Sequence, residues 1–241
     1  MNYGLQLYSV RDLTKDDLEG ALAKVAALGY SFVEFAGFFG HGAAEVRGML
    51  EKYGLTVSGT HTGVAELTPE KLKETIAYHK ELGNRNIIIP AADFSTREKL
   101  DALIDLINDI QPKLAAEGIA LGYHNHYHEF LPTEYGAIVH SELEARTKVF
   151  FEIDTYWAYV AGQDPIAVLN RLGERVPVIH LKDGLADGHG MALGEGTAPV
   201  EAVRACAIAT GRTMVVESET CQPSGIEEVG RCIRYLRGLD G

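Results

Sequence analysis

Cysteine, tryptophan and basic residues are scarce in this chain of 241 residues. Its three cysteines, Cys206, Cys221 and Cys232, are odd in number and lie 15 and 11 residues apart, which suits neither a disulfide framework nor a zinc ribbon. A reducing, cytoplasmic setting is expected. Lys and Arg total 22 against 34 Asp and Glu, a formal charge of −12 with a pI near 5.2. That balance repels phosphate backbones and anionic lipid at long range, so neither nucleic acid nor a membrane is an expected partner. No run approaches the roughly 20 apolar residues of a membrane span. The first residues, Met1 to Asp17, mix both signs of charge early instead of forming a basic stretch followed by an apolar one, so no secretory leader is expected there. Also missing is the G-x-G-x-x-G turn that a dinucleotide-binding sheet carries after its first strand, because Gly4 is followed by LQLYSVRD.

What is present is a regular alternation. With 46% hydrophobic and 23% charged residues the chain can bury a large core, which excludes disorder as its main state. Eight β-type runs, YGLQLYS, SFVEFAG, LTVSGTH, NIIIPAA, IALGYHNH, KVFFEIDTYW, VPVIHLKD and TMVVESE, alternate with eight stretches of helical period. Gly29, Gly54, Gly83, Gly118 and Gly211 each close a helical stretch before a strand, where a left-handed cap costs glycine least. Thr68-Pro69 and Asp164-Pro165 pair a capping side chain with a proline at the first helical position. Strand ends at Tyr8, Phe35, His61, Pro90, His124, Asp154, His180 and Glu217 recur about every 30 residues, one βα unit each, without a linker. The expected fold is α/β: a single-domain (β/α)8 TIM barrel over residues 1–241, ahead of an open doubly wound sheet.

The reactive groups of such a barrel project from the C-terminal ends of its strands. Four successive ends carry His124, Asp154, His180 and Glu217, with His61 and Glu34 at or beside earlier ones. A lone strand-end histidine is usually a hydrogen-bonded structural residue. Two imidazoles and two carboxylates together form a set for a divalent cation, since converging carboxylates repel unless a cation or shared protons offset them. Manganese, cobalt, magnesium or zinc would suit these donors, and the carboxylate content favours manganese. In GYHNHYHEF, residues 122–130, the histidines at 124, 126 and 128 alternate, so an extended backbone turns all three to one side. His124 is expected to reach the ion and His126 the substrate, with His128 and Glu129 in the following loop. Glu152, one layer deeper than Asp154 on the same face, is expected to orient His124 or another ligand from behind. Glu34, His61 and Trp157 are expected to contact the substrate, with Phe38 and Phe39 walling a sugar-sized pocket. Lys182 alternates with His180, which places an ammonium beside the cation, suited to an anionic oxygen of the substrate. The alternative is a surface lysine paired with Asp183.

The runs GLQLYSVRD, VEFAGFFG, YHNHYHEF, EIDTYWAYVAGQDP, VIHLKDG and VVESE occur in the order expected for the sugar phosphate isomerase/epimerase family. The chain resembles these xylose isomerase-like TIM barrels over nearly its whole length. The resemblance implies a divalent metal at the barrel mouth, commonly manganese, that holds a sugar or polyol through adjacent oxygens, and it maps onto Asp154, His180 and Glu217. Ketose epimerases of the family carry glutamate where this chain has His124, whereas the YHNH form is similar to inosose dehydratase and 3-keto-sugar relatives. Barrels of this kind often pair, so a homo-oligomer is compatible with the reading.

The expected chemistry is proton abstraction α to a carbonyl. Glu217 is the base, the cation and Lys182 stabilise the enediolate oxygen, and His124 or His126 returns the proton. Isomerisation or epimerisation of a sugar is the leading outcome and elimination from a keto-sugar or inosose the alternative. An endonuclease IV-like repair enzyme would want a basic groove, against the charge of −12; a non-catalytic sugar-binding barrel is the remaining reading.

Overall fold

A computed structural model covers Met1–Gly241. Eight parallel strands close into a barrel: β1 Gly4–Gln6, β2 Phe32–Phe35, β3 Thr56–His61, β4 Asn86–Ile89, β5 Ala120–His124, β6 Phe150–Asp154, β7 Val178–Leu181 and β8 Thr213–Val216. Each pairs with its neighbour in sequence, and β1 pairs with both β2 and β8, which excludes the open sheet.

Alternation along the strands sorts side chains into two populations. Outward residues such as Ile87, Ile89, Leu121, Tyr123, Phe151, Ile153, Ile179, Leu181 and Val216 join the helix faces in one continuous core, while buried Ile88, Val178 and Val215 on the other face lie outside it. Those three face the barrel axis. Small residues alternate with large ones there: a Cβ on Gly122 would fall 2.4 Å from the Phe150 ring, and one on Gly4 would fall 2.0 Å from that of Phe32.

The glycine caps are where the pattern placed them, since Gly29, Gly54, Gly83, Gly118 and Gly211 all have positive φ. Asp164 caps Pro165–Leu172 by accepting from Ile166 N at 2.9 Å. Two expected boundaries move. The helix expected after Thr68-Pro69 starts only at Leu72, because residues 68–71 form a turn whose Thr68 carbonyl accepts from both Lys71 N and Leu72 N. The first strand stops at Gln6, whose side chain accepts from Tyr8 N and turns the chain into a 3-10 segment, Leu7–Val10. The sixth strand ends at Asp154 as expected, and Asp154 caps the helix Thr155–Val160 that follows.

Behind the sheet, His140 lies fully buried between the rings of Phe130 and Phe151, at centroid distances of 4.5 and 4.7 Å, and its Nε2 has no partner. Burial lowers its pKa from 6.5 to about 3. The folded protein therefore refuses a proton that the unfolded chain accepts, so this contribution to stability is complete above pH 6.5 and is lost as the pH falls towards 3. The expected loss from this group between pH 6.5 and 5 is about 2 kcal/mol. In urea unfolding across that window, His140→Phe should have a shallower pH dependence than the parent protein, and equal slopes would refute the assignment.

Candidate metal centre at the barrel mouth

The barrel axis is filled with ionisable groups in two layers. In the deeper one, Glu34 and Glu152 are fully buried. Glu34 Oε1 accepts from Gln6 Nε2 at 2.6 Å and lies 2.8 Å from His180 Nε2, across the barrel from its own strand. Glu152 Oε2 lies 2.8 Å from His61 Nε2 and 3.2 Å from His180 Nε2. Gly59 makes room here, because a Cβ would stand 3.1 Å from Glu34 Oε2. Burial pushes both carboxyls up, but His61 and His180 overcome it at Glu34, which is held well down, while Glu152, facing that charge, stays raised. One of the two keeps its proton.

The upper layer joins His124, Asp154, His180 and Glu217: one nitrogen or oxygen from each lies within 4.8 Å of the others, and all four residues are buried. Local structure sets each in place. Asp154 caps the helix that follows it, with Oδ1 accepting from Trp157 N at 2.8 Å, and this leaves Oδ2 without a hydrogen-bond partner. His180 turns Nε2 to the carboxylates below and Nδ1 to Glu217 Oε2, 3.3 Å away. His124 has no partner on either ring nitrogen although it is only 2% exposed. Burial, reinforced by the neighbouring imidazoles, lowers its pKa far enough to leave the ring neutral with a free lone pair. Buried polar atoms without partners are rare, and one His124 nitrogen meeting Asp154 Oδ2 beside Glu217 is the chemistry of a site for a cation. Glu34 behind His180 fixes the ring's orientation as an outer carboxylate does for a ligating imidazole. His180 is held protonated by the carboxylates on either side despite its burial, so coordination through Nδ1 requires that proton to leave.

Lys182 is buried, not a surface lysine, and Asp183 is not its partner. Its Nζ stands 3.3 Å from Glu217 Oε2, 2.5 Å from Glu219 Oε1 and 3.9 Å from Asp154 Oδ2, over the ring of Trp157 at 4.6 Å. Burial opposes its charge, but Glu217, Asp154 and Glu219 more than restore it, so the lysine is a fixed ammonium. Burial likewise works against Glu217, yet Lys182 and His180 keep it ionised. Asp183 instead accepts from the amides of Gly194, Gly196 and Ala198, which gives the Gly-Glu-Gly turn a structural task.

A cavity of about 370 Å³ opens above this layer, lined by His61, His124, His126, Glu217 and Glu219 among others. His126, lowered to about 3 chiefly by burial, is neutral on its wall. One expected role changes position. Glu34, expected at the substrate, lies beneath the imidazoles with no exposure. Of the two alternatives for Glu152, it lies behind His180, and beside His61, and not behind His124. Trp157 contacts Lys182, with Tyr127 and His126 beside it at 5.8 and 6.1 Å between ring centroids. Sequence reasoning missed Gln6, although in-register pairing with Glu34 follows from the same alternation, and it missed Glu219, which shares the face of Glu217. It also missed Asn125, whose Nδ2 donates to Asp154 O at 3.2 Å and whose Oδ1 accepts from Asp154 N at 3.1 Å, tying the ends of β5 and β6 together.

A closed barrel with a buried donor cluster at the C-terminal ends of its strands defines an enzyme-type (β/α)8 protein with a candidate metal centre at its mouth. Residues 22–237 match the xylose isomerase-like TIM barrel family, and the chain belongs to that family. It is similar to a sugar phosphate isomerase/epimerase from Parabacteroides distasonis, 27% identical with 98% of each chain covered and a TM-score of 0.84. A probable 3-DHS dehydratase from Bacillus anthracis shares the fold at 14% identity, with 98% of this chain and 99% of that one covered and a TM-score of 0.79. An inosose dehydratase from Geobacillus kaustophilus is 24% identical over 186 residues, which is 67% of this chain and 60% of that relative's length.

Asn125→Ala would strand the buried N–H of Asp154 and remove a second donor to its carbonyl, which also accepts the first bond of the helix it caps. Leaving such a group unpaired costs about 1–3 kcal/mol, so the free energy of unfolding in urea should fall by about that amount. A loss below about 0.5 kcal/mol would show that the amide does not hold the two strand ends.

Proposed function

We propose that this protein is a divalent-metal-dependent enzyme that removes a proton α to a carbonyl of a sugar or keto-sugar. The observation that carries the reading is the convergence of unpartnered, buried His124 and Asp154 atoms with His180 and Glu217, next to a cavity that His124 and Glu217 line. These four residues would hold the metal, with Mn²⁺ favoured by the two carboxylates and Co²⁺, Mg²⁺ or Zn²⁺ tolerated. When bound, a divalent cation supplies Lewis-acid stabilisation of negative charge developing on a carbonyl oxygen.

The remaining work falls to side chains. Glu217 is ionised, lines the cavity and is the base of the reading. Lys182, fixed by Glu217 and Glu219, contributes a positive charge for the enediolate oxygen. His126 is a neutral imidazole on the cavity wall, and His61 and Trp157 complete the surroundings of the substrate. His124 or His126 would return the proton, through whichever ring nitrogen is not turned to a cation. Isomerisation is the outcome we assign. Elimination is the second reading, supported by histidine at position 124 and by the similarity to an inosose dehydratase.

In D2O with Mn²⁺ and a panel of ketoses, keto-glucosides and inososes, the parent protein should wash deuterium into the carbon next to the carbonyl of its substrate. Isomerisation conserves mass otherwise, whereas elimination releases water. Glu217→Gln should lower the exchange at least 100-fold, and exchange at the parent rate would remove Glu217 as base. Glu34→Gln should weaken Mn²⁺ binding 10–100-fold in competition with a chromogenic chelator, because His180 loses its anionic support. Unchanged affinity would remove that role.

A further inference from the structure

We propose that the loop after β5 carries a second divalent-cation site, built from His126, His128 and Glu129 and separate from the four donors in the barrel. One ligand atom from each of the three lies within 4.8 Å of the other two. The chain folds locally to make this happen: Tyr127 adopts a right-handed helical conformation and His128–Phe130 forms a 3-10 turn, which gathers positions 126, 128 and 129 on one side.

The carboxylate is set in advance. Glu129 has no exposure, and its Oε2 accepts from His126 N at 2.9 Å while Oε1 accepts from Tyr123 Oη at 3.2 Å. Its only ionic neighbour is His128, whose Nε2 stands 3.5 Å from Oε1 without forming a hydrogen bond. A buried carboxylate with no lysine or arginine partner is costly. The spacing of 3.5 Å is close to the roughly 3.3 Å between two donors on one tetrahedral ion with bonds of 2.0–2.1 Å. His126 adds a buried Nδ1 that has no partner. His128, with 44% of its side chain exposed, leaves the site open to solvent on one side.

Two imidazoles and one carboxylate with an open position suit a borderline ion such as Zn²⁺, whereas Mg²⁺ and Ca²⁺ prefer oxygen donors throughout. His126 also lines the mouth cavity, so an ion here would fix the orientation of a ring on the substrate's wall. The inference does not depend on the reaction proposed above.

The test is the number of zinc ions held per chain, measured by elemental analysis after dialysis of metal-stripped protein against micromolar Zn²⁺. His128→Phe should hold one ion fewer than the parent protein, whatever the barrel centre binds. His128→Gln should do the same, which guards against misfolding of the first variant. His41→Gln, which alters an exposed histidine paired only with Glu45 on the surface, should hold as many as the parent. Equal zinc content in the parent protein and both His128 variants would overturn the proposal, as would a loss of equal size in His41→Gln.

Discussion

The constraint on which this structure rests is the burial of Glu34 and Glu152 in the barrel axis. Two carboxyls with no exposure would be prohibitively costly unless compensated. The fold compensates them with the imidazoles of His61 and His180, supplied from other strands. Compensation in turn fixes those rings. With Nε2 committed downward, His180 can present only Nδ1 to the mouth, so the lower layer determines what the upper one can bind.

The upper layer is held from the side. The ends of β5 and β6 are tied by the Asn125 amide, those of β6 and β7 by Thr155 Oγ1 donating to His180 O at 2.9 Å, and the turn after β8 by Ser218 N donating to Ser9 Oγ at 3.1 Å. Glu228, buried in the last helix, accepts from the amides of Thr220 and Gln222 and from the Ser218 hydroxyl, and so anchors the loop that bears Glu217 and Glu219. Functional groups thus stand on rigid strand ends whose neighbours are bonded across each gap, which is how a barrel keeps a donor set pre-organised.

Much of this was legible in sequence because it follows from local periodicity. The βα repeat, the glycine caps and the four consecutive polar strand ends depend on residues near each other in the chain, and the structure brings those four ends together. Partners across the barrel were not legible. Glu34 and His180 lie 146 positions apart and on strands that are not neighbours, so no spacing rule assigns one to the other. Lys182 was ambiguous for a related reason, since His-x-Lys puts both side chains inward but does not reveal Glu219, 37 residues on, as the partner that lets the ammonium remain there. The first strand, expected to reach Tyr8, was overrun because Gln6 uses its side chain to cap the turn that follows, a competition that β-propensity does not register.

The central claim, that His124, Asp154, His180 and Glu217 share one divalent ion, is tested most directly by an anomalous difference map from crystals soaked in Mn²⁺. The account predicts a peak bonded to all four side chains, above Glu34 and Glu152. A map at saturating Mn²⁺ with no peak among those four, in a lattice whose mouth is open to solvent, would contradict it.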